Sequence, residues 1–348
     1  MRSVFVAIPS SLRNRSAQGK LVHQLSRRWV NHSRTGKARL CVEHAEFLDL
    51  VGEHGDGEIK YRVIETSAAD SRAQVVELTL CNEKKKNAIS GRMMAQLADY
   101  LDSLLLDHER QSGQLPIMGL ILRGQGGAFC AGADLTLVKE VVNTSERGLL
   151  MSRFMTDALT RLRQSRLVSV ALLEGPAVGG GAELCTSTDF RLMVDDPAGK
   201  NHVCFIHAKI GASPGWGGAY RLQSIVGRSN ALLLLGTSQR VPAQQAAAMG
   251  LVDQIVPPTN PYPATPSSSS ATSTQTEPGV NDDNDVGLQA ALRFLQPFTS
   301  QPYPDAVGDL KAAVAQCEYA SADDARQYEH HLFGRRWGSK DNKQALRK

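Results

Sequence analysis

No run of apolar residues in this chain approaches the ~18 that a membrane-crossing helix requires, and its six cysteines form no CxxC pair. The first absence points to a soluble protein with no membrane partner. The second removes the zinc-ribbon and disulfide-framework readings, so no metal is expected and a reducing compartment suits the chain. Phosphate-cradling signatures are missing as well: there is no GxxxxGK[ST], and no GxGxxG opens a helix after a strand. Acidic residues are absent from two places, residues 1 to 42 and Val203 to Ser224. No repeat of solenoid period is evident.

Within those limits, 348 residues of which 42% are hydrophobic can bury a full core, enough for one large domain with appendages. The acid-free N-terminus carries nine basic residues (Arg2, Arg13, Arg15, Lys20, Arg27, Arg28, Arg34, Lys37, Arg39), and removing them from the formal +4 leaves −5 for the rest. An arginine- and serine-rich segment without acids suits an organellar transit peptide, so a mitochondrial location is expected; a disordered basic tail on a cytosolic protein is the other reading. The acidic body lacks a basic stripe with interleaved aromatics, and no nucleic-acid partner is expected. Residues 257–285, with Pro-Pro-Thr-Asn-Pro-Tyr-Pro, a run of serines and Asn281-Asp282-Asp283-Asn284-Asp285, read as a low-complexity linker or insertion. Apolar spacing resumes at Val286, Leu288, Leu292 and Leu295, and Ser321 looks like an N-cap with Asp323 and Asp324 in the first turn. Two or three helices are therefore expected over 286–348.

Between these appendages, strand-like and helical runs alternate. Val75 to Leu80, Ile117 to Leu122 and Val168 to Leu173 are rich in β-branched and apolar residues, whereas Met93, Leu97, Leu101 and Leu104 have helical spacing. The pattern predicts an α/β core with ligands at the strand-to-helix turns.

Two of those turns carry the chemistry. Gly126-Gly127-Ala128-Phe129-Cys130-Ala131-Gly132-Ala133-Asp134-Leu135 and Glu174-Gly175-Pro176-Ala177-Val178-Gly179-Gly180-Gly181-Ala182-Glu183-Leu184 each follow a strand and lead into a helix. Both can offer backbone N–H groups at a helix start, and two such groups converging on one oxygen form an oxyanion hole for a thioester enolate. Gly180 and Glu183 stand three apart on the second helix, so an N–H and a carboxylate can face one pocket. Close packing of the glycines, with Glu183 merely offsetting the helix dipole, is the plainer alternative.

These turns, with Lys86-Asn87-Ala88-Ile89-Ser90, Pro214-Gly215-Trp216-Gly217-Gly218-Ala219-Tyr220-Arg221-Leu222 and Ala246-Ala247-Ala248-Met249-Gly250-Leu251-Val252, resemble the enoyl-CoA hydratase/isomerase (crotonase) superfamily in order and spacing. Within it, Leu167 to Leu172, Phe205-Ile206-His207, Pro214 to Gly218, and Leu332-Phe333-Gly334 with Trp337-Gly338-Ser339 are most similar to the ethylmalonyl-CoA decarboxylase branch, although Lys209 stands where that branch tends to place an acid. The resemblance implies a crotonase-like spiral of ββα turns over 60–256 and a helical C-terminal region at 286–348 that builds homotrimers or dimers of trimers. It places the oxyanion hole on the N–H groups of Ala133 and Gly180. It also implies that Ala131, Gly132, Ala133 and Asp134 line the CoA thioester site, and that Lys86 faces the CoA phosphates or is simply a solvated charge. Coenzyme A enters as part of the acyl-CoA substrate, and no separate cofactor is implied.

Alkene hydration in this superfamily uses two carboxylates on one water, and here only Glu183 is present; His207 falls at the second position. Loss of CO2 from a malonyl-type thioester needs no base, because it generates the enolate directly. The reading is therefore a lyase acting on ethylmalonyl-CoA or methylmalonyl-CoA, with an enoyl-CoA hydratase or isomerase of fatty-acid metabolism as the alternative. Glu183, His207 or water would return the proton, and Trp216 would wall the acyl pocket or fill the core.

Overall fold

The computed structural model describes residues 36–64, 71–106, 115–258 and 285–347. The basic segment up to residue 35 and the low-complexity residues 259–284 lie outside that description. Helix α1 (Gly36–Val51) begins within the last part of the acid-free segment and buries Phe47 and Val51. Strands β1 (Glu58–Ile64) and β2 (Gln74–Cys81) follow, then α2 (Gly91–Leu106) and β3 (Ile117–Gly124). Helices α3 (Leu135–Glu140) and α4 (Ser145–Gln164) lead to β4 (Val168–Leu173), β5 (Ala177–Val178), α5 (Gly180–Cys185), β6 (Phe190–Val194) and β7 (Val203–Cys204). The remainder is α6 (Gly218–Thr237), α7 (Ala243–Ala248), β8 (Gln254–Val256), and four C-terminal helices: α8 (Val286–Thr299), α9 (Pro304–Tyr319), α10 (Ala322–Arg336) and α11 (Lys340–Ala345). Four helices stand where two or three were expected.

The large sheet has the order β1-β2-β3-β4-β6-β8, with β1 antiparallel on the edge and the other pairings parallel. A second, smaller layer is built from short pieces: β5 pairs with β7, Cys130 bridges Ala177, and Ile89 bridges Ala133. The chain thus visits the large sheet and then the small layer on successive turns, which is the crotonase-like spiral.

Burial explains why the central strands read as continuous apolar runs. All six residues of β4 are buried; Ala171 and Leu173 join the main core while Val168, Val170 and Leu172 pack with Leu288, Ala291 and Leu295 of α8. Helix α8 starts at Asp285, whose side chain accepts from the Leu288 N–H, and Asp285 is also paired with Arg123 at the end of β3 (2.7 Å). Ion pairs tie the C-terminal helices down: Arg163 of α4 to Glu318 of α9 (2.6 Å), and Arg166, just after α4, to Asp309 of α9, which also takes Arg335 and Arg336 of α10. Ser321 caps α10 through the Asp324 N–H. No helix among the described residues is long and apolar enough to cross a membrane.

Candidate active site

The first turn is held in place by the loop before α2. Ala131 N–H donates to the Lys86 carbonyl (3.0 Å), Ile89 N–H to the Gly132 carbonyl (2.8 Å), and Asp134 N–H to the Ile89 carbonyl (2.9 Å). Ile89 thereby pairs with the residues on either side of Ala133, so the Ala133 N–H faces away from it. The Asn87 side chain secures the loop in turn, donating to the carbonyls of Gln125 and Ala128 (both 2.8 Å). Asp134 caps α3 by accepting from the Thr136 N–H (2.8 Å), and Lys85 binds its other oxygen (2.7 Å). Burial alone would raise the Asp134 pKa, but Lys85 and the Thr136 N–H hold it below the usual range. The Lys85 pKa rises through the same hydrogen bond.

The second turn meets the first at Gly132, whose φ of +99° favours glycine; a β-carbon there would lie 3.1 Å from both the Gly180 nitrogen and the Val178 carbonyl. Gly180 opens α5, and the first N–H groups of a helix have no intrahelical acceptor. Neither the Gly180 nor the Ala133 N–H finds a protein acceptor among the described residues. Two free donors therefore sit on adjacent backbones.

Glu183, one turn further along α5, is only 2% exposed and accepts from four donors. Its Oε2 takes the N–H groups of Trp216 and Gly218 (both 2.8 Å); its Oε1 takes the Gly215 N–H (3.2 Å) and faces His207 Nε2 (3.1 Å). The carboxylate thus sits at the N-terminus of α6, where backbone donors and the helix dipole favour negative charge. His207, 6% exposed, leaves its Nδ1 buried without a partner. The six-membered ring of Trp216 packs on Gly180, and the Gly215 carbonyl accepts from Ser152 Oγ (2.5 Å) and Thr156 Oγ1 (3.2 Å) of α4.

Over residues 70–260 the sequence matches the enoyl-CoA hydratase/isomerase family. The chain belongs to that family. Among its relatives, an ethylmalonyl-CoA decarboxylase of Xenopus laevis is 36% identical over 274 residues, covering 79% of each chain. One from Bos taurus is 35% identical over 269 residues, covering 77% of this chain and 76% of that one. One from Gallus gallus is 32% identical over 324 residues, 91% of this chain and 97% of the other. An enoyl-CoA hydratase from Bacillus anthracis superposes with a TM-score of 0.64 over 83% of this chain and 94% of its own, at 23% identity, and so shares the fold.

Against this crotonase framework, the residues singled out by sequence fall into two groups. Ala133, Gly180, Glu183 and His207 come together around Trp216 and Gly132. Lys86 and Ala131 are exposed and joined through the backbone, while the Asp134 carboxylate is already taken by Lys85 and the α3 cap. Gly180 and Glu183 meet through Trp216, because the Glu183 oxygens turn to the 215–218 loop. Lys85, Ser152, Thr156 and Arg221 were given no role by sequence reasoning. Arg221 lies within a motif quoted for the family, and the other three carry no signal of their own.

Proposed function

We propose that this protein is a carboxy-lyase acting on a short branched malonyl-type CoA thioester: ethylmalonyl-CoA, as the names of its relatives suggest, or methylmalonyl-CoA. The observation that carries the reading is the pair of unpartnered N–H groups on Ala133 and Gly180 beside a carboxylate already occupied by four donors. With the thioester oxygen between those N–H groups, the bond from C2 to the carboxylate breaks. Its electron pair moves into the thioester as an enolate, and CO2 leaves. No base and no further cofactor takes part in that step.

A proton must then reach C2. The Glu183 carboxylate only accepts, so it holds the imidazole of His207 through Nε2–H; a proton taken up from solvent at the free Nδ1 then passes to C2 and the ring returns to its Nε2–H form, the logic of a carboxylate-oriented histidine. Water addition to an alkene would ask for a second carboxylate. The side chain that meets the Glu183 carboxylate is instead a histidine, His207. Trp216, against Gly180, walls the acyl pocket and limits chain length. In this reading the exposed Lys86, beside Ala131, meets the CoA phosphates. The acid-free N-terminus supports a mitochondrial location, and the exposed Leu310, Val314, Phe333 and Trp337 of the C-terminal region support assembly as trimers or dimers of trimers.

The deciding experiment offers the purified protein ethylmalonyl-, methylmalonyl- and crotonyl-CoA in parallel and follows CO2 release and alkene hydration. Release of CO2 from a malonyl derivative with slow hydration is expected. Rapid hydration of crotonyl-CoA without CO2 release from either derivative replaces this reading with the hydratase one.

A further inference from the structure

Arg221 is 2% exposed, yet no carboxylate lies within ion-pair distance of it among the described residues. The other deeply buried arginines have such partners: Arg163 has Glu318 (2.6 Å) and Arg191 has Asp253 (2.8 Å). Arg221 also occupies the first turn of α6, where the helix dipole disfavours a cation. Desolvation lowers its pKa, with Tyr319 and Glu183 pulling the other way. A charge buried without a paired carboxylate and at the wrong helix end is costly to fold around, and stability alone does not call for it.

Its hydrogen bonds show what it holds. Nη2 donates to the carbonyls of Trp216 (2.5 Å) and Glu183 (3.2 Å), and Nε to Thr186 Oγ1 (3.1 Å). Nη1 lies against the α-carbon side of Gly217. The two carbonyls belong to the same two residues whose other groups meet at 2.8 Å, the Trp216 N–H and the Glu183 carboxylate. Trp216 and Glu183 are therefore cross-tied twice, once directly and once through the guanidinium fork. That fork spans the helix supplying the Gly180 N–H and the loop that lays an indole on Gly180.

We propose that Arg221 is a positioning residue for acyl-chain selection: it fixes the Trp216 indole against Gly180 and so sets the depth of the acyl pocket. The selection part rests on the reading of Trp216 as pocket wall; the positioning part does not.

The test uses full-length protein in which Trp29 and Trp337 are replaced by Phe, so that Trp216 is the single indole. Acrylamide quenching of its fluorescence is expected to rise several-fold in Arg221→Met. Affinities for unreactive saturated acyl-CoA thioesters, measured by calorimetry, should show the preference for a four-carbon over an eight-carbon chain falling by about tenfold. In a Trp216→Ala background the same Arg221→Met change should leave that preference unmoved, a coupling that general destabilisation does not produce. Unchanged quenching in folded Arg221→Met overturns the proposal, as does an equal loss of preference in both backgrounds. If Arg221→Met does not fold, Arg221→Lys decides: the ammonium keeps the charge but cannot serve three acceptors as the planar fork does. Quenching should then rise part-way, and wild-type quenching in that variant overturns the proposal. If the parent binds no acyl-CoA, the pocket reading falls, and quenching alone judges Arg221.

Discussion

The indole of Trp216 touches the α-carbon of Gly180 so closely that a β-carbon there would stand 2.7 Å from ring carbon Cζ3 and 2.8 Å from Cη2. Alanine favours a helix over glycine by roughly 1 kcal/mol, and Gly180→Ala would keep the backbone N–H intact. The ring is nevertheless in the way. Gly180→Ala is expected to lower kcat/KM by about 10²-fold, the scale of an ångström-sized misplacement. Adding Trp216→Leu should restore part of that loss and widen the range of acyl chains accepted. Steady-state kinetics on both variants check this; wild-type turnover in Gly180→Ala would mean that the ring yields freely.

Glu183 accepts from all four of its neighbours, and an amide in its place must turn an NH2 toward at least one N–H donor. Hydrogen bonds to a charged group contribute roughly 1.5–3 kcal/mol each. Glu183→Gln should therefore lower both thermal stability and turnover, whereas loss of a proton donor alone would lower turnover and spare the melting temperature. Calorimetry alongside kinetics separates the two.

Much of this framework was legible because central strands buried on both faces leave long apolar runs, as in Val168 to Leu173, and because glycines crowd wherever backbones touch, as at Gly132 and Gly180. Legibility failed where length or phase gives no signal. Strands of two residues, Ala177–Val178 and Val203–Cys204, have no period to detect. The run Lys84-Lys85-Lys86 does not say that Lys85 reaches Asp134 while Lys86 stays exposed. Charge composition marked residues 1 to 42 as one segment, but α1 begins at Gly36 and its buried Phe47 and Val51 lie further along. Most hidden was the turn of Glu183 toward Trp216 and Gly218, since its partners are backbone groups more than thirty residues away.

That α1 boundary makes the role of the N-terminus testable by two truncations. Removing residues 1 to 35 should leave melting temperature and activity unchanged while altering cellular location. Removing residues 1 to 51 deletes Phe47 and Val51, both fully buried, each worth roughly 1.5–3 kcal/mol. The longer truncation should therefore melt well below the shorter one. Equal melting of the two would mean that α1 contributes nothing to the core.

Asp99 on α2 gives a pH prediction with a definite sign. Burial raises its pKa from 3.8 to about 6, with Arg161 opposing. Below 3.8 both folded and unfolded chains hold the proton, so its stability contribution is complete there and is lost as pH rises to about 6. Asp99→Asn removes that titration and should stabilise the protein above about pH 6.5, with the advantage fading to nothing below about pH 4. His44, lowered to about 4 by burial, acts in the opposite direction, losing its contribution as pH falls from 6.5. Comparing variant with wild type at each pH cancels the His44 effect. Denaturant titrations across the range provide the check, and a pH-independent difference would remove Asp99 as the cause.

His207 gives the sharpest view of the final step. Its Nε2 is engaged by Glu183 at 3.1 Å and its Nδ1 is buried without a partner, so the ring has one fixed nitrogen and one available nitrogen. If Nδ1–H delivers the proton to C2, the enolate is protonated from one face only. On the proposed reading, formation of the enolate depends instead on the Ala133 and Gly180 N–H groups, which a change at residue 207 leaves in place. His207→Gln should accordingly still release CO2, with steady-state turnover, which waits on protonation of C2, slowed by about 10²-fold or more, the range for losing a positioned proton donor. Its product should also lose stereochemical fidelity. With methylmalonyl-CoA in D2O, the wild type should place deuterium in a single configuration at C2 of propionyl-CoA, and His207→Gln should give a mixture, as NMR of the product would show. A single configuration from folded His207→Gln would assign the proton to another donor and reduce His207 to a support for Glu183.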